Sequence, residues 1–168
     1  MKKIIVAISI VLLTACTNGN STLNKLKEDY PTLKKEVEKL PKDVQNEIVV
    51  PEKLPFDVKT VSLEVGENME SHTYDHTSIK YTYGNGTILY ITTFHNRNTA
   101  FNGDDQEHKT TKLKDGTRVN IIKDKDSPKE IRWKKDGFYH DITLIKLPDA
   151  KTKYTINDLV KTADSIDE

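Results

Sequence analysis

The chain has 168 residues, 31% of them charged, with 26 basic and 26 acidic side chains and a single cysteine. That balance argues against a generic polyanion binder, which depends on clustered excess base, and one cysteine leaves no partner for a disulfide within the chain. The length suits one domain with a hydrophobic core rather than two.

The N-terminus reads Met1-Lys2-Lys3, followed by an almost wholly apolar run from Ile4 to Leu13. A charged start and an apolar run of this length make a signal peptide, since spanning hydrocarbon takes about 20 residues. Leu13-Thr14-Ala15-Cys16 follows. This resembles the lipobox of bacterial lipoproteins, a branched apolar residue and two small residues before cysteine. The resemblance implies cleavage between Ala15 and Cys16, diacylation of the Cys16 sulfur, and a cell-membrane location on the extracytoplasmic face. Two acyl chains hold a protein on a bilayer where one does so only marginally. Cleavage after Ala15 leaves 24 basic against 26 acidic side chains. No polybasic second membrane signal accompanies the lipid.

Residues 16–22 are expected to be a lipidated tether, small and polar after the cysteine. Residues 23–47 form a helical segment, because Leu23, Leu26, Tyr30, Leu33, Val37, Leu40 and Val44 recur at three-four spacing. Pro31 and Pro41 interrupt it, predicting two short helices with Pro31 in the first turn of the second. The stripe serves either a helix packed on its own domain or a dimerising coiled coil. Proline within the pattern favours the former, and a monomer.

Residues 48–168 read as one α+β domain. An extended joint with two prolines covers 48–56. The period then changes to two, through Val61, Leu63 and Val65, then Ile79, Tyr81 and Tyr83, then Ile88, Tyr90, Thr92 and Phe94. Asn85-Gly86, Asp115-Gly116 and Asp136-Gly137 each sit between two such runs and predict hairpins. The result is an antiparallel β-meander of about six or seven strands. A polar loop, 96–107, lacks periodicity and is expected to be mobile. Thr155 and Asp158 have capping-box spacing, and Ile156, Leu159, Val160, Ala163 and Ile166 trace the apolar face of a C-terminal helix that covers the sheet.

Trp133-Lys-Lys-Asp-Gly-Phe-Tyr139 and the closing stretch Tyr154 to Ile166 resemble a Gram-positive domain of unknown function found in exported lipoproteins and in extracellular tails of regulatory proteins. In that family a Trp-x-x-x-Gly-x-Tyr strand precedes a final helix. Here Asp158 takes an acidic slot, Ala163 and Ser165 match, and Val160 and Thr162 flank the apolar slots. The likeness covers about 110 residues from Leu54-Pro55-Phe56 onward, is carried mostly by packing residues, and implies a fold without a catalytic assignment. A more distant likeness runs to periplasmic lipoprotein carriers.

No phosphate loop, nucleophile elbow, His-Glu-x-x-His or Cys-x-x-Cys occurs, so no catalytic residue, metal site or cofactor is expected. His72 and His76 with Asp75 between them fall between strands, where four-residue spacing does not align ligands. His95, His108 and His140 are expected at strand ends. Asn102 to Glu107 is oxygen-rich but lacks the calcium-loop spacing. Trp133 is expected to anchor the core. Tyr81, Tyr83 and Tyr90 flank one hairpin and are the candidate binding face. The functional expectation is a membrane-anchored, non-catalytic binding or sensing module, not an enzyme. Its ligand would be an envelope protein or a small molecule, and not nucleic acid. Two alternatives are a lipid or lipoprotein carrier, which needs an apolar cavity, and an envelope hydrolase, which needs acids or histidines converging in a cleft.

Overall fold

The computed structural model describes residues 21–84, 86–101 and 108–166. The proposed signal peptide, Ala15 and Cys16, Asn85 and the 102–107 segment therefore lie outside the described residues.

Three short helices open the described chain: α1 (Ser21–Asp29), α2 (Pro31–Val37) and α3 (Lys42–Glu47). Pro31 occupies the first turn of α2, where its missing N–H costs nothing. Pro41 is the residue from which α3 starts, so the second proline begins a third helix where only two were expected. Ser21 and Thr22, expected in the tether, form the first turn of α1.

Seven strands follow: β1 (Thr60–Asn68), β2 (Thr73–Tyr83), β3 (Thr87–Phe94), β4 (Lys109–Lys112), β5 (Arg118–Asp124), β6 (Lys129–Lys135) and β7 (Phe138–Lys146). They form one antiparallel sheet in the order β1-β2-β3-β7-β6-β5-β4. The architecture is thus α+β, but the meander is two meanders. The chain leaves β3, restarts at the far edge with β4, and returns strand by strand until β7 pairs with β3. Gly86, Gly116 and Gly137 hold φ between 82° and 90° at the three hairpin turns, a region open to glycine at little cost. α4 (Ile156–Asp164) closes the chain. Its capping box is formed, with the Thr155 hydroxyl accepting from the Asp158 N–H and the Asp158 carboxylate accepting from the Thr155 N–H.

The helices cover one face of the sheet. Ile79, Ile91, Ile142 and Ile131 form one row across β2, β3, β7 and β6, and none is more than 2% exposed. Above them lie Leu33 and Val37 of α2 and Leu159 and Ala163 of α4. Each of these isoleucine, leucine and valine side chains contributes roughly 1.5–3 kcal/mol when fully buried. Leu33 and Val37 are 0% exposed, so the stripe of the second helix is consumed within this chain. In β3 the face turned to the helices is Thr87, Leu89, Ile91 and Thr93, whereas Ile88, Tyr90, Thr92 and Phe94 face the other way. The expected parity is therefore reversed. Both sets are largely apolar, and cross-strand register, not alternation, decides which goes inside. The joint is extended, with Pro51 bridging to Ile166.

Candidate functional site

The three candidate tyrosines part company. Tyr81 and Tyr83 are two residues apart and share the helix-covered side of β2, while Tyr90 lies on the opposite side beside its cross-strand partner Lys80. Tyr81 is 1% exposed and belongs to the core, so it offers no outward binding face. Tyr90 receives the Lys80 ammonium 5.6 Å from its ring centroid. Its hydroxyl, and next Glu64, hold that ammonium above its ordinary pKa.

Tyr83 is the one that faces solvent, at 36%. It stacks on Phe56 of the joint at 5.7 Å, and Phe56 meets Tyr154 edge-on at 6.2 Å. The joint places Phe56 there because two prolines keep it extended across the end of the sheet. Together with Leu54, Asp57 and Thr152 these rings line an open cleft of about 390 Å³. Leu54 also borders two neighbouring clefts, one against α4 and one against α1. The joint is thus a ridge with hollows on each side.

A second constellation was invisible in the sequence. His95 directly follows β3, and its Nδ1 lies 2.6 Å from Glu47 Oε2 at the end of α3. Its Nε2 lies 3.0 Å from the Thr77 hydroxyl of β2. Carboxylate, imidazole and hydroxyl in line is the geometry that activates a nucleophile. Here the hydroxyl is sealed, because Thr77 is 1% exposed and sits in a buried row with Thr93, His140 and Trp133. A reacting carbonyl has no approach to it. What the arrangement does is lock α3 onto β2 and β3. Thr93 adds to it, its hydroxyl accepting from the Val49 N–H and lying 3.4 Å from His140 Nδ1.

The other histidines differ in part from expectation. His140 is 4% exposed as the third residue of β7, inside the strand and tilted on Trp133 at 5.5 Å. Trp133, 3% exposed, is the core anchor expected of it. His72 sits in the β1–β2 turn with φ of 52°, and His76 within β2 lies against Phe94. Gly66 admits that histidine ring, which a β-carbon there would overlap. Among the described residues no three His, Cys, Asp or Glu side chains are grouped as a metal ion would require.

The face of the sheet away from the helices carries buried charge. Arg132 Nη2 donates to Glu130 Oε1 at 3.1 Å and to Asp141 Oδ2 at 3.4 Å. Lys123 meets the other Glu130 oxygen at 2.7 Å, and the Thr143 hydroxyl donates to Asp141 at 2.7 Å. Glu130 and Asp141 are 7% and 5% exposed. Burial, and then the Glu130 charge, push the Asp141 carboxyl up to about 7, while Thr143 and Arg132 pull against the shift. Phe101 lies over the Arg132 guanidinium at 3.5 Å and packs edge-on against both Phe94 and Tyr139. The start of the 96–107 loop is therefore fastened by rings, and the rest of it lies outside the described residues.

Among the described residues no helix is long and apolar enough to cross a membrane. No family model matches the chain, and no curated protein and no solved structure matches it.

Proposed function

We propose that this protein is a lipid-anchored, extracytoplasmic binding or sensing module without catalytic activity of its own. The observation that carries the binding half is the ring cluster at an open cleft, in which exposed Tyr83 stacks on half-buried Phe56 and buried Tyr154 backs them. Aromatic side chains with a solvent-facing edge are the favoured anchors of recognition surfaces, since they bring large contact area at low entropy cost. Leu13-Thr14-Ala15-Cys16 supports the anchor. The likeness to exported lipoprotein domains points the same way. The absence of a catalytic role draws support from the sealed Thr77 hydroxyl. Packing of the helices onto the sheet around a filled core speaks against the carrier alternative.

Two experiments test the halves separately. Cys16→Ser removes the sulfur that would carry diacylglycerol. With each buried methylene contributing about 0.8 kcal/mol to membrane attachment, loss of two chains abolishes anchoring at that point. Metabolic labelling with a fatty acid should mark the wild type and not the variant. Label retained by Cys16→Ser, or absent from wild type, removes the lipoprotein reading. For the binding half, a benzoylphenylalanine introduced at Tyr83 should give a discrete photo-crosslinked product in intact cells. The same group at Met69, which is 80% exposed and far from the triad in the sheet, should not. Equal products at both positions, or none at Tyr83, would remove the triad as the binding face.

A further inference from the structure

A cleft of about 470 Å³ opens between α1 and the joint, at residues 50–54. Its size falls within the range of small-molecule sites. Leu26, Val50 and Leu54 contribute apolar wall, while Lys25, Asp29 and Glu52 stand along it as charges of both signs. Tyr81 lines it from the core side. The Tyr81 hydroxyl is buried and has no hydrogen-bond partner among the described residues. A buried hydroxyl left unsatisfied costs roughly 1–3 kcal/mol, so native structures rarely keep one without reason. Burial raises the phenol above its ordinary pKa, so it remains protonated and is available as a donor.

We infer that this cleft binds a small uncharged amphiphile whose carbonyl oxygen accepts a hydrogen bond from Tyr81. The apolar wall takes the hydrocarbon part of such a ligand. The mixed charges disfavour a strongly anionic or cationic one, which would meet a like charge on entry. The acceptor at its inner end completes the Tyr81 hydroxyl, which has no hydrogen-bond partner among the described residues. This site is distinct from the Tyr83 triad, although Leu54 borders both, and it does not depend on lipidation of Cys16.

Benzophenone is a suitable probe, being uncharged, mostly apolar, and photoreactive at the same carbonyl that would meet Tyr81. The full chain in lipid nanodiscs is irradiated with increasing benzophenone and digested, and the adducts are mapped by mass spectrometry. Saturable labelling of the Leu26 and Val50–Leu54 peptides is expected. Tyr81→Phe should weaken it about three- to tenfold, the range of one neutral hydrogen bond, with a melting temperature unchanged or raised. Tyr90→Phe, on the opposite face of the sheet, should leave it unchanged. Leu54→Glu, on a half-buried wall position, should abolish it without unfolding the sheet. Equal labelling of wild type and Tyr81→Phe would overturn the inference, as would non-saturable labelling spread along the chain, which marks partition into lipid only. Cys16→Ser protein irradiated in parallel should label to the same extent, so a failure of labelling says nothing against the anchor.

Discussion

His95→Ala is expected to cost the fold about 3 kcal/mol, read as a fall in the denaturation midpoint without a change in slope. Two hydrogen bonds go at once, to Glu47 and to Thr77. The two partners respond differently. The Glu47 side chain is 27% exposed and rehydrates, so its loss is modest. The Thr77 hydroxyl is sealed, and an unsatisfied buried hydroxyl carries roughly 1–3 kcal/mol by itself. The space left by the imidazole, whose side chain is 4% exposed, adds a cavity term. A double-mutant cycle separates these contributions. In a Thr77→Val background the hydroxyl is already gone, so His95→Ala should cost less there by ~1 kcal/mol or more. Additive effects would mean that the contact carries no coupling. A His95→Ala loss within about 0.5 kcal/mol would place the group among ordinary surface positions.

This lock explains where sequence reading ran out. The hairpins were legible because glycine after Asn or Asp marks a turn locally, and Gly86, Gly116 and Gly137 all adopt the positive φ those turns need. The C-terminal helix was legible because Thr155 and Asp158 announce its start within four residues. Sheet order was not. Nothing near Phe94 says that β3 will pair with β7 and that the chain will restart at the far edge, because that pairing is settled by which apolar faces meet. The parity of β3 failed for the same reason, since Leu89 and Ile91 compete on equal terms with Ile88 and Tyr90.

The site residues follow the same division. Glu47, Thr77 and His95 lie on a helix end, a strand and a strand exit, and each looks ordinary alone. The signal that joins two of them is register: Thr77 pairs with Thr93, two residues before His95. Once β2 and β3 are set as a hairpin, a histidine just past Thr93 is within reach of Thr77. The third member needed the packing of α3. Tyr83 was legible as an aromatic next to a turn, but its partner Phe56 lies 27 positions upstream in a joint that sequence reads only as extended.

The sheet's other face holds a large pH-dependent contribution, and Asp141→Asn should remove it. The folded Asp141 carboxyl is raised by burial first and by Glu130 second, to about 7, against an unfolded value of about 3.9. The folded state therefore binds the extra proton between those values, and unfolding free energy falls as pH rises through that window. The favourable contribution is complete below about pH 4 and is lost as pH climbs through 7, where a second buried carboxylate must ionise beside Glu130. For a shift of this size the change is on the order of 4 kcal/mol. Asparagine keeps an oxygen to accept from Thr143 and presents an N–H₂ toward Glu130 where the proton had been, at the loss of only the long 3.4 Å contact from Arg132, which keeps its bond to Glu130. The variant should thus match wild type near pH 4, exceed it near pH 8, and show a flatter stability profile between. Exposed carboxylates such as Asp115, held below the ordinary range by its hydrogen bonds to Thr117, act in the opposite sense. They do so equally in both proteins and cancel in the difference. Urea midpoints for the pair across pH 4 to 8 give that difference directly. Parallel profiles, or an Asp141→Asn protein weaker at pH 8, would show that Arg132 and Lys123 keep the carboxylate ionised through the whole range.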